Sequence, residues 1–137
     1  MPPGADASPF AITKGPDGNM WFTERSRNAI GRITSAGTVT EFPVPGALDL
    51  AHITSGPGGL LWFTDDSASF IGSISTGGVI NTYPANFTYT YGSYSYTYAA
   101  YPDDITVGPD GALYFTSYYY IGRFDPNSHA ITTLNPA

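Results

Sequence analysis

The sequence contains no cysteine, which excludes disulfide bonds and thiolate chemistry. Charged residues make up only 12% of the 137 residues, and just 5 of them are Lys or Arg. The formal net charge of −6 argues against nucleic-acid binding, because such binding needs a basic surface that displaces counterions from phosphates. No apolar run is long enough to span a membrane, and the N-terminus lacks the basic and apolar regions of a signal peptide. We therefore expect a soluble protein, either cytoplasmic or secreted without a visible signal peptide.

What the sequence does have is turn residues, with 16 Gly and 12 Pro, and a threefold internal repeat. Each copy starts with an Ile-Thr pair, passes a Gly-Pro turn, and continues to an aromatic-Phe-Thr string and an Ile-Gly pair. The first two starting isoleucines, Ile12 and Ile53, are 41 residues apart, and the third, Ile105, follows after an insertion of about eleven residues. A period of about 40 residues with four short strands is typical of a β-propeller blade.

We predict an all-β fold of three four-stranded antiparallel propeller blades, at residues 8–45, 51–85 and 102–136. They form a single partial-propeller domain over residues 1–137, with a Tyr-rich insertion at 86–101. Both faces of the predicted strand 19–24 are apolar, which indicates a blade packed between two neighbours instead of a half-exposed sheet. The two chain ends align to the same point of the repeat, so we expect a whole number of blades.

Three blades are fewer than the four to eight that propellers usually contain. A stack of three leaves an apolar face uncovered at each end, at or above the largest patch that a soluble monomer tolerates. A homodimer with a two-fold axis along the channel covers both faces and closes a six-bladed ring. Blades supplied by a longer chain or by another protein are the alternative. Of these, we expect the homodimer.

The strings G-P-D-G-N-M-W-F-T-E, I-G-R-I-T and T-E-F-P-V-P resemble the blade repeat of the streptogramin B lyase (virginiamycin B lyase) family. This resemblance covers the chain apart from the insertion. It implies a bacterial, seven-bladed, single-chain propeller. It also implies a magnesium-dependent carbon–oxygen lyase that opens a cyclic depsipeptide lactone by elimination, with His and Glu residues on one face. This chain departs from that pattern in having three blades and only two histidines, His52 and His129. His52 precedes an inner strand, as the family's catalytic histidines do, and is the catalytic candidate.

Chain direction predicts that one face of the disc holds the loops between second and third strands together with the linkers between blades. The insertion lies there, and its Tyr residues alternate with Thr or Ser around Gly92-Ser93, which predicts a β-hairpin with one aromatic face. Its rings either cover a neighbouring blade or the dimer seam, or stack on a sugar or another flat ligand. The candidate ligand-binding residues are Tyr94, Tyr96, Tyr98, Tyr118, Tyr119 and Tyr120.

A metal site is a further hypothesis for the same face. A two-fold ring would bring two copies of His52 and two of Asp104 to one channel mouth, where they could share a divalent metal. Magnesium is the metal that the family resemblance implies. Glu24, beside Arg25 and Arg27, is interpreted as part of a solvated surface cluster.

These features leave three functions open. The scarcity of histidine and the missing blades favour a self-assembling, non-catalytic propeller module that acts as a scaffold or binding domain. A metal-dependent enzyme resembling streptogramin B lyase is the second, and a carbohydrate- or peptide-binding module that uses the Tyr-rich face is the third. The sequence contains neither a phosphate-binding Gly-rich loop nor a nucleophile-elbow pattern.

Overall fold

The computed structural model describes residues 6–134, which form fourteen β-strands, one 3₁₀ turn at Pro57–Gly59 and no α-helix. Blade 1 consists of β1 (Pro9–Lys14), β2 (Met20–Glu24), β3 (Ala29–Ile33) and β4 (Val39–Pro43). Blade 2 consists of β5 (Leu50–Ser55), β6 (Leu61–Asp65), β7 (Phe70–Ile74) and β8 (Ile80–Pro84). A hairpin of β9 (Asn86–Tyr91) and β10 (Tyr94–Ala99) follows. Blade 3 consists of β11 (Ile105–Val107), β12 (Leu113–Thr116), β13 (Ile121–Phe124) and β14 (Ile131–Leu134).

Each blade is a four-stranded antiparallel sheet whose strands pair in sequence order. This confirms the predicted all-β propeller-like architecture. The first strands of the blades, β1, β5 and β11, lie side by side at the inner edge. The three sheets do not close on one another within residues 6–134, so the six-bladed ring stays a prediction. No helix in these residues is long and apolar enough to cross a membrane.

An aromatic residue in the second strand packs over the Gly-Pro turn of its own blade. A Cβ at Gly15 would lie 2.4 Å from the Trp21 ring, so only glycine leaves room for the indole. Trp21 Nε1 then donates to the Asp17 carboxylate at 3.0 Å. In blade 3 the Tyr114 hydroxyl donates to Asp110 at the same distance. The repeated pairing of glycine with a downstream aromatic residue therefore positions the turn against the sheet.

The hydrophobic core lies between blades. One buried cluster joins blades 1 and 2 around Trp21 and Phe63, and a second joins blades 2 and 3 around Trp62 and Phe115. Neighbouring residues of β6 thus point to different blades, and all five residues of this strand are buried. The prediction from the strand pattern, a blade with two apolar faces, is confirmed in blade 2, which has a neighbour on each side.

A threonine in the second strand of blade 1 and of blade 2 links its blade to the next. The Thr23 hydroxyl accepts from the Ala11 amide at 3.1 Å and donates to the Ala51 carbonyl of blade 2 at 2.8 Å. Thr64 repeats the pattern, since it accepts from His52 N and donates to the Asp103 carbonyl of blade 3. These hydroxyls satisfy backbone groups at each seam between inner strands.

Candidate functional site at the loop face

We call the loop face the side of the blades that carries residues 25–28, 66–69 and 117–120 and the linkers that lead to blades 2 and 3. Backbone hydrogen bonds hold these segments together. Arg25 N donates to Ser8 O at 3.2 Å, Asp66 N donates to Asp49 O at 3.2 Å, and Asp103 N donates to Thr116 O at 2.8 Å. The loops and linkers therefore share one face, as chain direction predicts.

His52 lies in β5 at the inner edge of this face and is half-buried. Its Nδ1 is 3.3 Å from Asp103 Oδ1, and its ring meets the Phe10 ring edge-on at 5.2 Å between centroids. Nδ1 is buried and makes no hydrogen bond of good geometry within residues 6–134, so Asp103 is its neighbour without being its hydrogen-bond partner. A carboxylate at this distance restrains the orientation of the imidazole ring.

Asp104, which the metal hypothesis places with His52 at the channel mouth of a two-fold ring, makes local hydrogen bonds within its own blade. Its Oδ1 accepts from the Ile105 amide at 2.8 Å, and its own amide donates to the Thr116 hydroxyl at 3.2 Å. The neighbour of His52 is Asp103, one position earlier in the repeat. The Thr64 hydroxyl explains this offset because it bridges His52 N to Asp103 O across the seam.

Phe10 of blade 1 lies beside His52 on its other side. The guanidinium carbon of Arg25 lies 3.6 Å from the centroid of the Phe10 ring, within the range of a cation–π interaction. Arg25 Nε also lies 3.1 Å from Asp49 Oδ1 and donates to Leu50 O at 3.2 Å. Arg25 therefore spans the seam between blades 1 and 2.

Glu24 is buried, with 1% of its surface exposed, so its interpretation as part of a solvated cluster is wrong. Glu24 is buried because it lies at the end of β2, next to the seam between blades 1 and 2. Burial raises the pKa of Glu24 above its ordinary value of 4.5; the Glu41 charge adds to this and the Arg27 charge opposes it. Its Oε2 has no hydrogen-bond partner in the described residues. The equivalent Asp65, by contrast, accepts from the amides of Leu48 at 2.8 Å and Ala68 at 2.7 Å.

We expect a Glu24→Gln variant to lose a component of the pH dependence of stability. Since the folded-state pKa of Glu24 is raised, its stabilising contribution is present below pH 4.5 and is lost as pH rises through the folded-state pKa. The Tm of the wild type minus that of the variant should therefore fall with rising pH in this window and then level off. Thermal denaturation followed by circular dichroism checks this, and a pH-independent difference would contradict it.

The structure confirms the predicted hairpin, with β9 and β10 joined at Gly92 and Ser93. Its tyrosines share one face, because Tyr91 pairs with Tyr94 and Tyr89 pairs with Tyr96. All the hairpin tyrosines are exposed. The hairpin contacts blade 3 through Phe87, whose ring lies 6.1 Å from Phe115 and 5.3 Å from Tyr120. The tyrosine rings of the aromatic face remain more than half exposed.

The six candidate tyrosines fall into two groups. Tyr94, Tyr96 and Tyr98 lie on β10 of the hairpin, whereas Tyr118, Tyr119 and Tyr120 lie in the loop between β12 and β13. Of the second group, Tyr118 and Tyr119 line an open groove of about 510 Å³ together with Tyr101, Asp66 and Ser67. Tyr101 and Asp66 are not among the ligand-binding candidates predicted from the sequence, because only the packing of blade 2 on blade 3 brings them to this groove.

The described residues offer few side-chain donors for magnesium, the metal that the family resemblance implies. No group of three or more His, Asp or Glu side chains placed to hold a metal ion occurs in residues 6–134. His52 and Asp103 offer two donors at most, and the Asp104 carboxylate is engaged by a backbone amide. A complete metal site at this face would need ligands from outside the chain.

Comparison with known proteins identifies the family. The family model described as the virginiamycin B lyase family matches residues 1–93. The virginiamycin B lyase of Mycolicibacterium smegmatis is 44% identical over 41 residues, which cover 30% of this chain and 14% of that protein. The lyase of Bordetella bronchiseptica is 45% identical over 38 residues, or 28% of this chain and 13% of that protein.

Solved structures extend the match to all three blades. A catalytically inactive virginiamycin B lyase from Staphylococcus aureus, crystallised with quinupristin, superposes with a TM-score of 0.83 at 35% identity. The superposition covers 98% of this chain and 43% of that chain, so the chain spans about two fifths of the length of the solved lyase. The repeat, the blade architecture and the family model agree, and this chain belongs to the virginiamycin B lyase family.

Proposed function

We propose that this chain is a ring-forming propeller module, in which two copies pair through their end blades and act as a non-catalytic scaffold or binding domain. One observation carries the proposal. We call the face of an end blade that points away from its neighbouring blade the open face. The open face of blade 1 presents side chains that are buried at the equivalent positions of blade 2. Ile12 is 63% exposed whereas Ile53 is 6% exposed, and Met20 is 37% exposed whereas Leu61 is fully buried. Burying this apolar surface against another blade is strongly favourable.

The open face of blade 3 supports the same proposal. Ile121 is exposed there, although its equivalents Ile30 and Ile71 are fully buried at the internal seams. The Thr116 hydroxyl accepts from Asp104 N, as Thr23 and Thr64 accept in their own blades, and no following blade supplies its acceptor within the described residues. The equivalent acceptor would be the backbone carbonyl of Phe10 in blade 1 of a second copy. The open faces of blades 1 and 3 thus carry the same groups as the two sides of a seam between neighbouring blades.

Solution mass tests the proposal directly. Light scattering after size exclusion should give twice the chain mass of 14.6 kDa. A second copy is the simplest occupant because three blades and three blades make six, within the usual range, with closed two-fold symmetry. A folded monomer that is stable at high concentration would overturn the proposal and would point to blades supplied by another polypeptide.

Lyase activity is a second candidate function, which the pairing of His52 with Asp103 and the family membership favour. A histidine held by a carboxylate at a channel mouth can take a proton in an elimination reaction. Since residues 6–134 contain no cluster of three or more His, Asp or Glu side chains placed to hold a metal, we expect activity only in an assembled ring that adds further ligands.

An assay of ring opening on a streptogramin B-type lactone tests this candidate. If it is correct, the product forms in the presence of magnesium, and a chelator stops its formation. The His52→Ala substitution should lower turnover by about a hundredfold or more. Magnesium, calcium or zinc should also raise the Tm of the wild type and leave that of the variant unchanged. Absence of product together with absence of a metal-dependent Tm shift would reject the lyase and leave the module.

A further inference from the structure

The groove between blades 2 and 3 on the loop face has a chemistry that ring assembly does not use. Asp66 and Ser67 form one side, from the loop between β6 and β7. Tyr118 and Tyr119 form the other side, from the loop between β12 and β13, and Tyr101 of the linker completes the lining. Its volume of about 510 Å³ is wide open to solvent and gives room for one small organic group. All of these residues belong to one chain, so the groove exists whether or not a ring closes.

The two exposed tyrosines form a corner. Their ring centroids are 4.7 Å apart and their planes are inclined by 77°. Tyr118 is 84% exposed and Tyr119 is 76% exposed, so neither ring contributes much to the core. The backbone holds them outward, because Ser117 Oγ accepts from Tyr120 N at 3.1 Å and Ser117 N donates to Tyr120 O at 2.9 Å. Two nearly perpendicular rings can contact a compact group from two sides, whereas a sugar ring stacks best on a single flat aromatic face.

Tyr101 is also held in place, at a conformational cost. Its φ of 49° lies in the left-handed region, which residues other than Gly and Asn rarely adopt. The Tyr101 amide donates to Ser69 Oγ at 2.9 Å, and Ser69 Oγ donates to Ala85 O at 2.8 Å. Strained residues that the surrounding structure over-determines are typical of functional sites.

The charge of the groove is negative. Asp66 contributes a carboxylate, of which Oδ1 accepts from Ser67 Oγ at 2.9 Å, and no Lys, Arg or His lines the groove. The neighbouring Asp49 carboxylate is paired with Arg25 at 3.1 Å, whereas Asp66 has no ion-pair partner among the described residues. A carboxylate beside several aromatic rings is the combination that recognises an organic ammonium group, through charge and cation–π attraction together.

We propose that this groove binds an organic cation with a quaternary or methylated ammonium group. The methyl groups of the cation contact the faces of Tyr118, Tyr119 and Tyr101, and the Asp66 carboxylate balances its charge. The chain as a whole favours such a ligand, since its formal net charge is −6.

Choline and its neutral isostere 3,3-dimethyl-1-butanol provide the test, because they differ in charge and hardly in shape. Calorimetric titration should show choline binding at least about tenfold more tightly than the isostere, with an affinity that weakens as salt is added. Asp66→Asn should weaken choline binding about fivefold to tenfold, and Tyr119→Ala should do the same. Tyr91→Ala is the matched control, because Tyr91 is equally exposed but lies on the hairpin, and it should leave binding unchanged.

Three outcomes would overturn the proposal. The first is equal affinity for choline and the isostere, which would mean that only apolar contact is measured. The second is choline binding that survives both Asp66→Asn and Tyr119→Ala. The third is no choline binding while a neutral oligosaccharide such as cellobiose binds, which would assign the tyrosines to carbohydrate recognition. All the substituted side chains are at the surface, so the variants are expected to fold.

Discussion

The Ile12→Asp variant is expected to remain a monomer of 14.6 kDa under conditions in which the wild type forms a dimer of twice that mass. Ile12 lies on the open face of blade 1, where it takes the place of the buried Ile53 of blade 2. In the proposed dimer it enters a seam of the same kind as those around Trp21 and Trp62. A carboxylate in such a seam has no partner, and burying an unpaired charge costs several kcal/mol. Each dimer contains two of these seams, so the effect is doubled.

Val79→Asp is the matched control. Val79 is 65% exposed, almost the same as Ile12, and lies in the turn between β7 and β8, away from both open faces. It should therefore leave the dimer intact. Ile121→Asp, on the open face of blade 3, should act like Ile12→Asp. Light scattering across a range of concentrations distinguishes these cases. Loss of the dimer in all three variants, or in none, would contradict the assignment of the seam.

Gly72→Ala is expected to destabilise the fold strongly. A Cβ at position 72 would lie 2.3 Å from the Phe63 ring, and Phe63 is fully buried in the seam between blades 1 and 2. The ring has no space to retreat, because blade 1 packs against it through Trp21 and Ile30. Overpacking of this kind costs about 3 kcal/mol, as much as many cavity-forming changes in a core. Urea denaturation followed by tryptophan fluorescence measures the loss.

Gly77→Ala separates this steric effect from the general effect of replacing a glycine. Gly77 lies in the turn before β8, its φ is not in the left-handed region, and the nearest atom to an added Cβ is Ser75 Oγ at 3.8 Å. The substitution should change the free energy of unfolding by less than about 0.5 kcal/mol, since exposed sites without contacts are tolerant. Equal destabilisation by both substitutions would show that the Phe63 contact is not the cause.

Much of this fold follows from patterns that are local in the sequence. The threefold repeat, the Gly-Pro turns and the alternation of Tyr with Thr or Ser each specify a strand or a turn within a few residues. For the same reason the hairpin at residues 86–101 and the four strands of each blade were predictable. The two apolar faces of the aromatic-Phe-Thr strand also predict that blades stack, because a strand with two apolar sides must be covered on both.

The candidate site was less predictable because it depends on how neighbouring blades are offset. Alignment of the repeats makes His52 and Asp104 equivalent positions, but the inner strands of blades 2 and 3 meet with a shift of one residue, so the neighbour of His52 is Asp103. Glu24 follows the same string as Asp65, yet Asp65 satisfies its carboxylate with backbone amides and Glu24 is buried with one oxygen unpartnered. No local pattern distinguishes these two environments.

The sequence by itself determined the blades, their number and the apolar character of both their faces, because strand period, turn residues and side-chain volume act over short distances. Only the tertiary structure decided which side chains meet at the loop face. The groove with Asp66 on one side and Tyr118 on the other joins residues more than fifty positions apart. Such contacts depend on the offset and angle between packed sheets, which arise from the fit of whole blades and not from any one segment.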